Sequence, residues 1–205
     1  MRSRDAAKRL GDRLVKVGAA LGLNVRIAET DGSQPVGRGI GPALEARDVL
    51  MVLQQHANAP IDLRDRALYL AAELLELAGR AQPGEGMRLA DDVLSSGKAW
   101  RKFQAICDAQ GGMRTPPIAG YRHPVLASAG GRITAMDNRR LAKAAKLAGA
   151  PQAPAAGIDL HARLTDLVEA GQPLFTVHAQ SRGELNYALH YIAAQHGIIT
   201  IGDGP

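Results

Sequence analysis

Asp31-Gly-Ser-Gln-Pro-Val-Gly-Arg-Gly-Ile-Gly-Pro-Ala-Leu-Glu-Ala-Arg-Asp48 reads as a glycine-spaced loop that leaves one extended element and enters a helix. Upstream of it, Leu23-Asn-Val-Arg-Ile-Ala28 alternates apolar and polar residues, the period of a half-buried strand. Downstream, Pro42 suits the first helical position, where its missing N–H costs no hydrogen bond. Ala43, Leu44, Val49 and Leu50 then give that helix an apolar face. Gly37, Gly39 and Gly41 remove side-chain bulk from a segment that must approach a ligand or another backbone closely. Three uses fit this chemistry. Free N–H groups at a helix start would cradle a phosphate, although the run G-x-G-x-G-P is neither a dinucleotide fingerprint nor a Walker loop. Loop carbonyls completed by Glu45 or Asp48 would hold a hard cation. A tight turn that packs a helix on a sheet would need no ligand.

The same stretch resembles the Q-P-x-G…G-x-A-L-E loop of the thymidine and pyrimidine-nucleoside phosphorylases, in particular the branch of type 2 thymidine phosphorylases and archaeal AMP phosphorylase. The resemblance continues through Leu94-Ser-Ser-Gly-Lys-Ala99, Phe103 and Ala109-Gln-Gly-Gly112. It ends with Gly157-Ile-Asp-Leu-His-Ala162 and Gly171-Gln-Pro-Leu-Phe-Thr-Val-His-Ala179. It covers nearly the whole chain and matches the C-terminal portion of those enzymes.

The resemblance implies an enzyme that splits a nucleoside or nucleotide with inorganic phosphate into a free base and a (deoxy)ribose 1-phosphate. The family's phosphate loop and its Arg, Ser and Lys set have no counterpart in this sequence. The chain is therefore expected to be inactive alone, with no catalytic or substrate-binding residue of its own and with its sheet neighbours upstream of Met1. What can be carried over is a structural monovalent cation or calcium. Its ligands would be the carbonyls of Val36 and Gly39 and the side chain of Asp48, helped by upstream residues. Asp48 stands where the family usually has Glu, one methylene shorter. No other cofactor is implied, and the parent enzyme would be a homodimer.

The chain's 205 residues can bury a normal core, and 46% apolar with 22% charged residues is ordinary for a globular protein. Its net charge of +5 would allow an anionic partner. Yet the basic residues are interleaved with acids along helices and only 3% of residues are aromatic, so nucleic-acid binding is not expected. The absence of a long apolar run argues against a membrane partner. The first residues do not read as a signal peptide, and lone Cys107 fits a cytoplasmic location.

Residues 4–21 have helical spacing, with Ser3 as N-cap and Gly22 as terminator. A helix, one strand and a further helix give the grammar of a parallel sheet. That single strand has no partner before residue 115, so an unpaired edge is expected at Val25 and Ile27. Helices follow over residues 62–78, 87–94 and 98–109, and the last places Trp100, Phe103 and Ile106 on one face expected to be core. Residues 1–112 thus read as part of an α/β domain with a partial parallel sheet and many helices. Gly-Gly and Pro-Pro pairs mark a linker at 113–118.

Residues 119–205 read as an α+β unit with strands over 121–128, 132–136, 158–164, 173–178 and 198–201 and helices over 138–147 and 183–194. The resemblance makes this unit an α/β hammerhead. Residues 164–175 also resemble the hairpin of biotinyl and lipoyl domains, but the modified lysine between methionines is missing.

His161 and His178 fall on strands that could lie together, and His190 and His196 are near one helix. None has zinc-ligand spacing, so hydrogen-bonded structural histidines are expected. Cys107 has no basic neighbours arranged to activate it and reads as a buried thiol. The leading function is the C-terminal portion of a nucleoside phosphorylase. The alternative is a stand-alone interaction or regulatory module that kept the fold without the chemistry.

Overall fold

The computed structural model describes residues 3–202. They fall into two compact units that interleave along the chain, one of residues 1–31 and 65–99, the other of 32–64 and 100–205. The segment 113–118 lies inside the second of these. The ends, including Met1 and the close of the 119–205 range, lie outside the described residues.

In the first unit, α1 (Arg4–Ala20) starts at extended Ser3, whose Oγ accepts a hydrogen bond from the Ala6 N–H at 3.2 Å. Gly22, at φ +70°, turns the chain out of the helix. The segment 23–30 then runs without helix or strand assignment, and no ladder forms on it among the described residues. The edge expected at Val25 and Ile27 is thus unpaired, and the parallel sheet expected around it is not seen among the described residues; the segment's side chains lie against a helix. A β-carbon on Gly11 would stand 3.2 Å from Ile27, and one on Gly18 would collide with Val25, so both apolar side chains occupy room that glycine leaves on α1. Arg26 pairs with Glu73 at 3.1 Å and Glu76 at 3.6 Å on α3 (Ile61–Leu77). Glu76 also accepts from the N–H groups of Gly84 at 2.9 Å and Gly86 at 3.1 Å, fastening the turn before α4 (Gly86–Ser95). Those two backbone bonds, helped by Arg26, hold its carboxyl below the usual range. On α1, Leu10, Leu14, Val17 and Leu21 remain 44, 50, 58 and 70% exposed, so its apolar stripe is largely uncovered.

The second unit holds two antiparallel sheets. The first has the order β1-β4-β6-β2, built from Gly39–Ile40, Gly157–Leu160, Pro173–Ala179 and Tyr121–Leu126. The second has the order β5-β3-β7, built from Leu167–Val168, Gly131–Met136 and Ile199–Gly202. Strands β2 and β3, consecutive in the chain, therefore belong to different sheets.

Ile158, Leu160, Phe175 and Val177 of the first sheet enter one core with Leu141, Ala144, Ala145 and Ala148 of the α6 region and Leu185 and Ala188 of α7. These helices are α6 (Asn138–Leu147) and α7 (Arg182–Ala194). Asp137 Oδ1 caps α6 through the N–H groups of Arg139 and Arg140, and Ser181 Oγ caps α7 through Glu184 N–H. Small alanines on α6 let the helix lie close to the sheet, and period-two alternation on β6 aims Phe175 and Val177 inward.

One expected core face is not enclosed. On α5 (Lys98–Ala109) no residue is fully buried; Trp100 and Phe103 stack on each other at 6.0 Å, and Ile106 is 48% exposed. Helical spacing shows which residues share a side, but burial needs a neighbouring element to cover it.

Candidate functional site

The glycine-spaced loop is fastened almost atom by atom to its own unit. Gly37 N–H donates to Asp62 Oδ2 at 3.1 Å, Arg38 N–H and Gly39 N–H donate to Asp48 Oδ2 at 2.6 and 2.8 Å, and Gly41 N–H donates to Glu45 Oε1 at 2.9 Å. Asp48 sits on α2 (Pro42–Leu53) and is 5% exposed. A buried carboxylate demands such donors, so the helix and the loop specify each other. Each of these N–H groups, which a phosphate would have to use, is thereby turned to a carboxylate of the chain itself. The phosphate-cradle use of this loop does not survive that geometry.

The carbonyls are partly engaged as well. Arg38 C=O accepts from Leu160 N–H at 2.9 Å beside the β1–β4 pairing, and Gly37 C=O accepts from Arg163 Nη1 at 2.7 Å. Arg163 also forms an ion pair with Asp62. Burial pushes the Arg163 pKa down, Asp166 and Asp48 oppose this, and Arg38 adds to it. A guanidinium stays charged through such a shift. Gln34 Oε1 accepts from Leu164 N–H at 2.9 Å, so residues 34–41 are held to both β4 and the chain beyond it.

Of the expected cation donors, Gly39 and Asp48 meet through the Gly39 N–H bond, and Val36 is half-buried two residues before Arg38. Asp48 Oδ2 already serves two N–H groups. Three oxygen donors are about half of what a hard cation takes.

A second constellation lies on the face of the first sheet that points away from the core. A cleft of about 420 Å³ is lined by Arg38, Arg47, Asp48, Asp159 and His161, with Leu44, Met51 and Leu160 at its apolar side. His161 Nε2 lies 2.7 Å from Thr176 Oγ1. His178 is 7% exposed and its Nδ1 is buried without a protein partner. His161 and His178 thus lie on neighbouring segments of one sheet face, with Thr176, the partner of His161, two residues from His178. Sequence reasoning missed the convergence of Arg38 and Arg47 with His161. The signal was the register of Gly39 with Asp159, which two-residue β1 is too short to announce. Cys107 is a free, half-buried thiol on α5. Among the described residues no cluster of three His, Cys, Asp or Glu side chains could hold a metal, and no helix is long and apolar enough to cross a membrane.

Burial lowers the His178 pKa; Asp159 opposes the shift, while Arg122, Arg47 and His161 reinforce it. Below its ordinary value of 6.5 the unfolded chain takes up a proton that the folded chain refuses. Stability is thus fully present above that pH and falls as the solution is acidified toward the lowered folded value. Urea midpoints measured from pH 7 to pH 5 are expected to drop less steeply in His178→Gln than in the wild type. An equal drop would remove His178 as a source of acid sensitivity.

Comparison with known proteins fits this picture. Residues 132–198 match the family model described as the pyrimidine nucleoside phosphorylase C-terminal domain. "Putative thymidine phosphorylase 1" of Acidovorax sp. (strain JS42) is 60% identical over 99% of this chain, which spans 40% of that relative. "Putative thymidine phosphorylase" of Polaromonas sp. (strain JS666 / ATCC BAA-500) is 59% identical over 95% of the chain and 38% of the relative. The Legionella pneumophila (strain Corby) protein of the same name is 54% identical over 99% of the chain and 39% of the relative. The chain is therefore similar over nearly its whole length to proteins of that name, spans about 40% of their length, and at residues 132–198 matches the pyrimidine nucleoside phosphorylase C-terminal domain.

Proposed function

We propose that this chain is the C-terminal portion of a nucleoside phosphorylase that cleaves thymidine or a related nucleoside or nucleotide with inorganic phosphate, giving base and (deoxy)ribose 1-phosphate. The supporting observation is the 60% identity over nearly the whole chain to a relative of that name, of which only 40% is spanned. Phosphorolysis needs groups that bind phosphate and groups that stabilise the departing base. The loop N–H groups at 37, 38, 39 and 41 are occupied by carboxylates, which supports a positioning role for this loop and a reaction centre elsewhere in the enzyme. The second unit would supply the α/β hammerhead of a cytoplasmic, homodimeric enzyme, and the 205-residue chain alone would not turn over.

The test is a chimera in which the matching portion of the Acidovorax relative is replaced by this chain. Phosphate-dependent release of thymine from thymidine is expected from the chimera and not from the chain alone. Turnover by the chain alone would overturn its dependence on further residues. An inactive chimera beside an active parent relative would overturn the reading itself.

A structural cation, when bound, would neutralise charge at the loop, with the carbonyls of Val36 and Gly39 and the carboxylate of Asp48 as this chain's share of its ligands. Asp48 would then hold the turn by its N–H bonds and by the ion together. Melting curves in potassium, sodium or calcium chloride against choline chloride at equal ionic strength are expected to rise with one of the metal salts. Coincident curves would leave the loop fastened by protein groups alone.

A further inference from the structure

The polar face of the first sheet is built as a binding surface. Ile158, Leu160, Phe175 and Val177 point one way, into the core. The register gathers the alternate residues on the other side, Arg122 beside His178, and Pro124 beside Thr176 beside Asp159. His161, two residues after Asp159 and bonded to Thr176, continues that side. Arg38 and Arg47 enter from the loop and α2 to line the same cleft.

The cleft sets two guanidiniums and His161 against two carboxylates, and neither guanidinium is tied up in an ion pair among the described residues. Asp48 spends its Oδ2 on two backbone N–H groups. Arg47 Nη2 donates to the Pro117 carbonyl at 2.5 Å, a neutral acceptor, and no ion pair to the guanidinium of Arg38 forms among the described residues. Asp159 is the one further acid of the lining. On the same side of the sheet as Asp159, His178 is more than nine-tenths buried, with a ring nitrogen that no protein group satisfies. A buried polar atom left this way beside a polar cleft is the mark of a place completed by something that is not protein. The charges that act on His178 are those of Asp159, Arg122, Arg47 and His161, and all but Arg122 line the cleft.

We propose that this cleft binds a phosphate monoester of a small polyhydroxy compound, a sugar phosphate being the simplest. Guanidinium forks match phosphate oxygens, so Arg38 and Arg47 hold the anion with His161 beside them. Asp159 accepts hydrogen bonds from the sugar hydroxyls. A cleft of about 420 Å³ has the size of a small-molecule site and leaves room beyond a bare phosphate ion. The proposal rests on this chain's own residues and does not depend on the phosphorolysis reading.

The test is calorimetric titration of the full chain with ribose 5-phosphate, inorganic phosphate and ribose in parallel, with the histidine ring resonances followed by NMR. Saturable binding of ribose 5-phosphate is expected, with no binding of ribose and with shifts of the His161 and His178 signals. Affinity should fall at least about tenfold in Arg38→Gln and in His161→Gln, each of which removes a charged or polar hydrogen bond to the anion. Both variants alter side chains outside the core, and unchanged melting temperatures confirm that they fold. Tighter binding of the ester than of inorganic phosphate sustains the proposal; equal binding overturns the sugar part and leaves a site for free phosphate. Absence of saturable binding of either anion well above about 1 mM, or affinities unmoved in both variants, overturns it entirely.

Discussion

Gly157→Ala is expected to remove about 4 kcal/mol of folding stability, a large part of what a domain has to lose. Two costs add. Gly157 sits at φ +153°, and such backbone costs a side chain on the order of 1–3 kcal/mol. Its new β-carbon would also collide with the Ile40 carbonyl oxygen and stand 3.0 Å from Leu44 Cδ1, an overpacking cost of roughly 1–3 kcal/mol. Gly41 faces the same junction from the other side, at φ 137° and ψ 153°, where a β-carbon would collide with the Ala156 carbonyl oxygen and lie 3.1 Å from Gly157 Cα. The two glycines thus set how closely β1 can lie on β4. Gly171→Ala is the control: φ is +83°, but nothing lies within 4 Å of the added carbon, so only the backbone cost applies. Urea unfolding of the three variants separates the terms, and equal losses at Gly157 and Gly171 would show that the close approach carries no energy.

Asp48→Ala is expected to cost about 3 kcal/mol, because it strands the Arg38 and Gly39 N–H groups inside the protein at roughly 1–3 kcal/mol each, less whatever water recovers. Asp48→Asn keeps an oxygen in place and should lose less, since a neutral acceptor still serves both donors. Denaturant midpoints check the order Ala below Asn below wild type. If both variants matched the wild type, the carboxylate would have no part in holding the turn. Arg163 enters here too: removing the Asp48 charge takes away one of the acids that favour its ionised form, beside Asp166 and its ion-pair partner Asp62.

The helices were largely legible because their ends are chemical. Ser3, Pro42 and Gly22 each act through a backbone requirement that a single residue meets or fails. The strand at residues 23–28 was not, since alternation marks extended backbone and says nothing of a neighbour. Val25 and Ile27 lie against glycines on α1 in a way that no period reveals. Strands β1 and β5, of two residues each, are too short to carry any pattern. At the loop, Asp48 could be found because it stands one helical turn or so past the glycines. Asp62 and Arg163 could not, being 25 and 126 residues from Gly37. The polar cleft was hidden for a related reason: its residues come from a loop, a helix and a strand more than a hundred residues further on, and only the register brings them together.

The reach of Arg163 back to Gly37 also sets the order in which the molecule can be built. With 126 residues between the two, a ribosome adding roughly 5–20 residues per second delivers the loop about 6 to 25 s before its fastening. Through that interval the loop has only its near partners, Glu45, Asp48 and Asp62, to draw on. Its last contacts wait on residues 157–164, and a nascent chain halted before residue 157 would lack the β4 pairing of residues 39 and 40.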